Sequence, residues 1–374
     1  MMVDKKDIKV CHVTSAHSRY DVRIFHKECK SLAKNGFDVT LLVNDSLEDE
    51  LIDGVSIKST HFNPRNRFER MIKSQKHIKR KAIEIDAHIY HLHDPELLPL
   101  GYKLKRLGKK VIFDSHEDVP KQIEDKQWIP LPIRKFISNI YERYEKYSVK
   151  KFDAAISVTP HIVKRFSIMN SNSILITNYP IIDPNENIVR NPNKAICFAG
   201  GISPQWNHAT VINAIESIKG VQYILAGAGK EEYLESLRRL PGWCNVDYRG
   251  KVPHQEVKGI YSQAIAGIAL NDCNQAKGEG TLGNTKLFEY MEAELPVICT
   301  NYRLWKEIIE ENHCGICVDP NDEEEIRNAI NYILDNPREA QYMGQNGRKA
   351  VLEKYNWNIQ AKELKKIYYN ILLN

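Results

Sequence analysis

The chain has 374 residues, of which 42% are hydrophobic and 27% are charged. This length exceeds what one hydrophobic core usually covers, so we expect two domains. The sequence holds no apolar run that approaches the ~20 residues needed to cross a bilayer, which argues against a membrane-spanning protein. The formal charge is +5. Lys and Arg outnumber Asp and Glu only in the first half, so we expect an anionic partner for that half alone.

The N-terminal segment MMVDKKDIKV has lysines but no apolar signal core, and we therefore expect a cytoplasmic location. The eight cysteines are scattered along the chain, and only Cys314 and Cys317 form a CxxC pair. This distribution is typical of reduced, mostly buried thiols in a cytosolic protein.

Short apolar runs alternate with helical patterns through the first half of the chain, which predicts a doubly wound parallel sheet. We assign this N-terminal domain to residues 1–182. Its predicted strands are 9–15, 37–44, 55–59, 88–92, 110–115, 154–158 and 173–177, and its predicted helices are 21–36, 67–85, 97–107 and 133–151, with a further helix before the last strand.

The alternation stops at residues 178–194, a stretch rich in Pro and Asn that predicts an interdomain linker. A second α/β series follows, and we assign it to a domain at residues 190–356. The last helix, 357–374, has an apolar face of its own. Two doubly wound domains joined in this way should face each other across a cleft at the carboxyl ends of their strands, where open α/β sheets bind ligands.

The stretch 277–300, KGEGTLGNTKLFEYMEAELPVICT, predicts a Gly-rich loop, a short helix and a buried strand. Such a loop offers backbone N–H groups to a phosphate, and Lys286 in the first turn adds a positive charge. Glu289 follows on roughly the same face, where it can accept hydrogen bonds from sugar hydroxyls. The stretch therefore predicts half of a nucleotide-diphosphate site. The alternative is an amphipathic helix with a solvated Lys and Glu.

The run N-T-K-L-F-E-Y-M-x-A-x-L-P-V-I closely resembles the donor-site helix of family 4 glycosyltransferases, which are retaining enzymes of the two-Rossmann GT-B fold. The resemblance implies that Glu289 binds the donor ribose. It also implies that Gly283, Asn284, Thr285, Lys286 and Leu287 surround the diphosphate. The family transfers a sugar from a nucleotide-diphosphate sugar by front-face attack, and it requires neither a metal nor another cofactor. In similar proteins the C-terminal helix returns to the first domain.

Three segments that follow predicted strands of the first half carry candidate acceptor-side and catalytic residues. The segment 21–28 is similar to the D-x-R-I-F-x-K-E segment of one family branch, and its Arg23 could clamp a phosphate or an acidic acceptor. A surface ion pair of Arg23 is the alternative. Asp94 is a candidate for acceptor binding or for a helix N-cap. His116 is the best catalytic candidate by resemblance, with Glu117 beside it to orient it or to bind acceptor hydroxyls; a buried structural histidine is the alternative.

The second half departs from the family at the cation pair that holds the diphosphate. The family has F-x-G-R followed by a basic residue, whereas FAGGISPQWNH places Gly200 and then Gly201 there, with residues 206–207 at the Lys position. Fixed cations stabilise the leaving group in such chemistry. Lys286, Arg23, the loop amides or His208 would therefore have to replace the missing pair, or the enzyme would be slow or inactive.

Other donor-side features match the family more loosely. Gly227 belongs to a turn similar to the family's G-x-G, and the segment from Arg249 to Val252 is like the one whose backbone contacts the base. The first acid of the family's E-x7-E pair falls at Thr281, and the nearest acid is Glu279.

The segment 65–81 carries eight basic residues and one Glu, with apolar residues between them. It could dock on an anionic membrane surface; a solvated helix face is the alternative, and nucleic acid is disfavoured because no recognition motif accompanies the charge.

Together the features of both halves predict a retaining, metal-independent hexosyltransferase that acts on a glycan or lipid-linked acceptor in surface polysaccharide assembly. The rivals are a catalytically silent sugar-nucleotide-binding protein and a sugar-nucleotide 2-epimerase of the same fold.

Overall fold

The computed structural model describes residues 8–126, 129–272 and 279–373, except for the side chains of residues 67, 68 and 254. The described chain divides into two compact units. The first runs to Asn178 and includes the C-terminal helix, and the second is Tyr179–Asn356. The division comes at the start of the stretch that predicts a linker.

The first unit is built on an eight-stranded sheet in which all neighbouring strands except one pair are parallel. Its strands are β1 (Lys9–Val13), β2 (Asp38–Val43), β3 (Glu50–Ile52), β4 (Val55–Ser59), β5 (Ile89–Leu92), β6 (Lys110–Ser115), β7 (Ala154–Ser157) and β8 (Ser173–Leu175). The strand order is β3-β4-β2-β1-β5-β6-β7-β8. The antiparallel edge strand β3 is the one strand of this sheet that the sequence did not predict.

The helices of the first unit cover both faces of this sheet. The C-terminal helix α14 (Trp357–Leu373) packs on one of the two apolar cores. On that helix Trp357, Leu364, Ile367 and Tyr368 are buried among residues of β1, β2 and the segment Val22–Cys29. The helices are α1 (Lys30–Lys34), α2 (Arg67–Ile85), α3 (Leu98–Arg106), α4 (Val119–Glu124), α5 (Leu131–Lys151), α6 (Pro160–Ser167) and α14 (Trp357–Leu373).

The predicted helix 21–36 is not one regular α-helix. Val22–Cys29 winds as a π-helix, capped by the Asp21 carboxylate, which accepts from the backbone N–H groups of Arg23 and Ile24 at 2.9 Å. The wider turn of a π-helix brings residues five apart close together. Arg23 and Glu28 therefore form an ion pair at 3.1 Å, inside the unit.

The second unit has a fully parallel six-stranded sheet in the order β11-β10-β9-β12-β13-β14. Its strands are β9 (Ala195–Ala199), β10 (Gln222–Ala226), β11 (Val246–Gly250), β12 (Ala266–Ala269), β13 (Val297–Thr300) and β14 (Gly315–Val318). Its helices are α7 (His208–Glu216), α8 (Glu231–Arg238), α9 (His254–Gln263), α10 (Lys286–Glu292), α11 (Arg303–Asn312), α12 (Glu323–Asp335) and α13 (Pro337–Glu353). The prediction of two doubly wound α/β domains is confirmed.

Candidate functional site

The carboxyl ends of three neighbouring strands of the second unit meet through glycine backbone. The N–H of Gly200 after β9 donates to the Ala226 carbonyl at 2.9 Å, and the N–H of Gly227 after β10 donates to the Gly250 carbonyl at 2.7 Å. A Cβ on Gly227 would lie 1.7 Å from the Gly200 oxygen, and its φ is +144°. Only glycine fits that position, so this edge of the sheet stays open to a ligand's approach.

Helix α10 is held against the sheet by its own apolar side. The Tyr290 ring fills the space that a Cβ on Gly267 would occupy, at 2.3 Å, and the Tyr290 hydroxyl donates to the Ile268 carbonyl at 3.1 Å. Leu287 is fully buried in the same way. Its predicted part in donor binding can therefore involve only its backbone.

Lys286 and Glu289 lie together at the start of this helix, both partly exposed. The Lys286 ammonium is 2.7 Å from Glu289 Oε2. Glu289 also accepts from Thr285 Oγ1 at 2.5 Å and from the Tyr261 hydroxyl at 2.9 Å. Burial alone would raise the pKa of Glu289, but Lys286 and these hydrogen bonds hold it below its ordinary value. Glu289 is therefore ionised and ready to accept hydrogen bonds.

The cluster adjoins the glycine edge of the sheet. A Cβ on Gly200 would lie 3.0 Å from the Lys286 side chain, so the end of β9 and the helix start are in contact. A cavity of about 290 Å³ borders Glu289 and Tyr261 in the same unit. The structure thus brings together Gly200, Gly227, Lys286 and Glu289, as a donor site requires.

The loop before α10 is described from Glu279 onward, and the predicted loop glycine Gly278 lies outside the described residues. The Gly283 N–H donates to Thr281 Oγ1 and Asn284 Oδ1 accepts from the Lys286 N–H, both at 3.1 Å. Glu279, the acid nearest to the family's expected position, forms an ion pair with Arg303 on α11. Its carboxylate is thus engaged at the surface.

Free space surrounds Gly201, the residue at which the family has its arginine. Gly201 is exposed, and a Cβ there would meet no atom within 4 Å, so a longer side chain would fit. Trp206, near the expected Lys position, packs on the Phe198 ring at 5.0 Å, and Asn207 Nδ2 donates to the Leu270 carbonyl at 3.3 Å. These two residues therefore serve the local fold.

His208 cannot replace the missing cations, contrary to one of our predictions. Its side chain is fully buried, and Nδ1 lies 2.9 Å from the Tyr223 hydroxyl. Burial lowers the pKa of His208 to about 3, so the ring is neutral near pH 7. Its physical role is in the core.

The segment from Arg249 to Val252 includes the end of β11 and the residues just after it. The Arg249 guanidinium is paired with Asp247 at 2.8 Å and with Gln263 at 3.0 Å. Val252 is half-buried just before α9. The arrangement is compatible with base contacts made by main-chain atoms, which is the role that the resemblance implies.

In the first unit, a cavity of about 550 Å³ lies at the carboxyl ends of β5 and β6. His116 lines it, with Nε2 at 3.2 Å from Asp114 Oδ2 and at 3.3 Å from His93 Nδ1. Asp94 and the exposed Glu117 line the same cavity. The structure thus places three of the predicted acceptor-side and catalytic residues, Asp94, His116 and Glu117, around one space.

Asp94 occupies the N-cap position of the helical turn Pro95–Leu97, as one of the two alternatives predicts, but its side chain does not cap the turn. Its carboxylate accepts from Thr14 Oγ1 at 2.8 Å and from the Ser15 N–H at 2.6 Å, and it makes no bond to the short helical turn Pro95–Leu97 that follows. Asp94 thereby ties the loop after β1 to the end of β5.

Arg23 is buried, which contradicts its predicted contact with a phosphate or an acidic acceptor. Its guanidinium donates to Asp114 Oδ2 at 2.8 and 3.1 Å and to the Ile176 carbonyl at 2.9 Å, and it pairs with Glu28. The alternative of an ion pair with Asp21 or Glu28 is correct for Glu28, but this pair is buried and does not lie at the surface. Arg23 supports the floor of the cavity.

Sequence analysis missed a group of buried histidines under His116. His12 on β1 pairs in register with His91 on β5, and His93 follows two residues later. His12 Nδ1 is 2.9 Å from His93 Nε2, and the Tyr368 hydroxyl lies 2.7 Å from His91 Nδ1 and 3.1 Å from His12 Nε2. The H-x-H spacing within one strand was the available signal.

Burial and the Arg23 guanidinium set the charge of each member of this group. The Arg23 guanidinium holds the pKa of Asp114 well below its usual range, although burial opposes this, whereas burial raises the pKa of Glu28 well above its usual range. Burial lowers the pKa of His93 to about 4 and those of His12 and His91 well below the ordinary value. These shifts keep Asp114 ionised beside Arg23 and the histidines neutral, and the raised pKa of Glu28 favours its protonated form.

Two sets of side chains in this group have ligand types that bind metals, His12 with Glu28, His91 and His93, and His93 with Asp114 and His116. Two nitrogens on one tetrahedral Zn²⁺, at 2.0–2.1 Å from it, would lie roughly 3.4 Å apart. The 2.9 Å between His12 and His93 is instead a hydrogen-bond distance. This comparison argues against a shared ion only for His12 and His93, because the facing atoms of His93, Asp114 and His116 lie 3.2–3.6 Å apart.

Comparison with known families agrees with this geometry. The family model described as Glycosyltransferase Family 4 matches residues 22–169, and the one described as Glycosyl transferases group 1 matches residues 182–350. The chain belongs with the family 4-type glycosyltransferases. These matches do not test the D-x-R-I-F branch.

The fold of this chain is GT-B, and solved structures of other proteins share it. Sucrose-phosphate synthase from Thermosynechococcus elongatus superposes with a TM-score of 0.74 at 17% identity, over 98% of this chain and 99% of that one. The lipopolysaccharide-biosynthesis glycosyltransferase WaaG gives 0.69 at 13% identity, over 96% and 99%. Anabaena HepE, solved with UDP-glucose, gives 0.69 at 12% identity, over 97% and 100%.

The curated relatives match only part of the chain. An uncharacterized glycosyltransferase from Methanocaldococcus jannaschii is 26% identical over 186 residues, which are 47% of this chain and 45% of the relative. A GDP-mannose-dependent phosphatidylinositol monomannoside mannosyltransferase from Mycobacterium tuberculosis is 28% identical over 173 residues, 43% of each. The match thus spans a little under half the length of these relatives.

Proposed function

We propose that the protein is a retaining glycosyltransferase that moves a hexose from a nucleotide-diphosphate sugar to a glycan or lipid-linked acceptor in surface polysaccharide assembly. The observation that carries the proposal is the Lys286–Glu289 pair, which lies against Gly200 at the carboxyl edge of a parallel sheet. The family match and the UDP-sugar and GDP-mannose named for similar proteins support a nucleotide-sugar donor.

In this proposal each partner of the pair has one task. Lys286 meets the diphosphate and stabilises the charge that develops as the nucleotide departs. Glu289 is held ionised and oriented by Thr285 and Tyr261, and it accepts hydrogen bonds from the ribose hydroxyls. The acceptor hydroxyl attacks from the face that the nucleotide leaves, and its proton passes to the departing phosphate.

The cavity of the first unit takes the sugar hydroxyls. His116 is partly exposed there, with 16% of its side chain accessible. Its contacts with Asp114 and His93 fix the ring, so that it can hydrogen-bond to a sugar hydroxyl, and Glu117 adds an acceptor at the rim. We propose that no metal takes part, and turnover should therefore survive EDTA.

A membrane surface is the proposed location of the acceptor. Helix α2 carries the exposed side chains of Lys73 and Arg80, 60% and 71% accessible, while Ile78 and Ala82 on its other face are buried. Basic side chains arranged in this way attract anionic lipid headgroups. No helix in the described part of the chain has the length and apolar content needed to cross a bilayer.

A thermal-shift screen of nucleotide-diphosphate sugars tests the donor site, because a ligand that binds the folded state raises the apparent stability. We expect one donor to raise the melting temperature. Glu289→Ala should weaken that donor by about tenfold or more, since the ribose loses a charged acceptor. Glu310→Ala, which removes an exposed acid on α11 (64% accessible), is the matched control. No shift with any donor, or equal affinity in Glu289→Ala, would contradict the proposal.

A catalytically silent donor-binding protein is the second candidate, favoured by the open, uncharged position at Gly201. Purified protein that binds the donor but neither transfers the sugar nor hydrolyses the donor would support it. Gly201→Arg offers a direct probe, because the added cation should raise turnover if the diphosphate lies there.

A further inference from the structure

Helix α5 carries a stripe of large apolar side chains that face solvent. They recur three or four residues apart, so they lie on one side of the helix. The α5 stripe consists of Ile133 (51% accessible), Phe136 (66%), Ile137 (40%), Ile140 (52%), Tyr144 (37%) and Tyr147 (56%).

The other side of α5 holds the helix in place, although Tyr144 and Tyr147 of the stripe also pack on Tyr102 of α3. Ser138 Oγ donates to the Pro120 carbonyl at 3.0 Å, Arg165 pairs with Glu145 at 2.7 Å, and Val149 is fully buried. Soluble proteins rarely expose contiguous apolar surface of this extent unless it meets another apolar phase. The α5 stripe therefore has the character of a docking surface.

The charge on α5 decides which kind of partner fits. The helix contains six Lys or Arg residues and two Glu residues. Arg143, Lys146 and Lys150 lie along one border of the stripe, and Lys151 lies at its end. Two copies of this stripe would bring like charges together, which is unfavourable, whereas an anionic lipid surface would meet them with opposite charge.

We propose that the α5 stripe docks on the surface of an anionic bilayer, with the helix lying in the plane of the membrane. Ile133, Phe136 and Ile140 enter the boundary between headgroups and acyl chains, as interfacial amphipathic helices do. Tyr144 and Tyr147 suit the same boundary, because each ring is apolar and each hydroxyl is polar. The basic border meets the lipid phosphates. This surface is separate from the basic face of α2 and does not depend on the transfer reaction.

Vesicle sedimentation with the full chain tests the proposal. The wild-type protein should bind vesicles of phosphatidylcholine with phosphatidylglycerol and bind vesicles of phosphatidylcholine alone more weakly. Phe136→Asp with Ile140→Asp should lower binding to the anionic vesicles at least about tenfold, because two apolar anchors become anions. The matched control is Ile168→Asp with Leu51→Asp, which places the same two negative charges at exposed apolar residues (82% and 74% accessible) outside the stripe. Its binding should stay within about twofold of wild type.

Thermal unfolding of each variant shows that it is folded, which is expected because the altered side chains are exposed. Unchanged vesicle binding of the Phe136→Asp/Ile140→Asp variant would overturn the proposal, even if Lys73→Glu with Arg80→Glu abolished binding through α2. A concentration-dependent dimer that the α5 variant dissociates, without vesicle binding by either protein, would also overturn it and assign the stripe to a second copy. Loss of donor binding is not expected from any of these variants, so the donor-site proposal stands or falls separately.

Discussion

The carboxyl edges of the two sheets differ in which groups form them, main-chain groups in the second unit and side chains in the first. In the second unit, glycines and main-chain groups form the edge, and a single Lys–Glu pair supplies the charge. In the first unit, charged and titratable side chains fill the edge, and most of them are completely buried. An open backbone edge suits a large, charged diphosphate, whereas a buried network can fix one imidazole ring precisely beside a sugar-sized cavity. The buried charges at the edge of the first unit must balance one another. The edge of the second unit receives its charge from α10.

The largest expected effect is a loss of stability when the buried charges of the first unit lose their cation. Arg23→Met removes the cation that pairs with both buried carboxylates, and breaking a buried pair in this way costs about 3–5 kcal/mol. Urea unfolding of the variant measures the loss.

Arg19→Met is the matched control for this prediction. Arg19 is just as buried, but its partners Asp45 and Glu50 are about one quarter accessible and can be rehydrated, so its loss should be about 1 kcal/mol. Equal losses in the two variants would mean that burial of the partners does not matter, and the comparison between the two edges would fail.

The next effect is on turnover and concerns the second unit. Lys286→Met removes the positive charge proposed to face the leaving group, and loss of one such group lowers turnover roughly 100- to 1,000-fold. Initial rates at saturating donor measure this effect. Lys306→Met on α11, an exposed lysine with 54% accessibility, should leave the rate unchanged. Wild-type turnover in Lys286→Met would show that the backbone edge alone holds the diphosphate.

The two edges also differ in how well the sequence predicts them. Alternating strand and helix patterns predict both sheets, and the stretch 277–300 predicts the helix that carries Lys286, because its glycines, polar start and apolar spacing all lie in one continuous segment. The buried network of the first unit joins residues 12, 23, 91, 114 and 368. Its existence depends on the adjacency of β1 and β5 and on the return of α14.

The error at Arg23 has a specific cause. An arginine near the start of a helix predicts an exposed cation when α-helical spacing is assumed. The π-helical segment Val22–Cys29 instead turns Arg23 and Glu28 toward the same interior point. No local pattern in the sequence distinguishes the two windings, and the buried partner Asp114 lies 91 residues away along the chain.

Acid should weaken both edges by a smaller amount. Burial lowers the pKa of His93 to about 4 and that of His208 to about 3. As the pH falls below the unfolded value of about 6.5, the unfolded chain binds protons that the folded chain does not, so stability falls. Between pH 6.5 and pH 5 each histidine should account for about 2 kcal/mol of that loss.

Urea unfolding at pH 7 and pH 5 measures the acid effect. His93→Gln and His208→Gln should each reduce the pH-dependent loss, one in each unit, with His161→Gln at a half-exposed histidine as the control. The raised pKa of Glu28 opposes this loss of stability, because the folded state holds a proton that the unfolded chain has released. If neither variant changed the pH dependence, both histidines would be accessible to protons in the folded state.

The smallest effect tests how Glu289 is oriented. Tyr261→Phe removes one of three hydrogen-bond donors to Glu289, the others being Thr285 and Lys286. Loss of one hydrogen bond of about 1 kcal/mol should weaken the donor about fivefold, as measured by calorimetric titration.

Tyr290→Phe makes the same chemical change one residue beyond Glu289, but its hydroxyl donates to the Ile268 carbonyl. This control should lower the free energy of unfolding by about 1 kcal/mol and leave donor affinity unchanged. If both variants lost affinity equally, the effect would come from the seating of α10 on the sheet. If only Tyr261→Phe lost affinity, the orientation of the Glu289 carboxylate would be a distinct requirement of the site, because the backbone edge would be intact in both proteins.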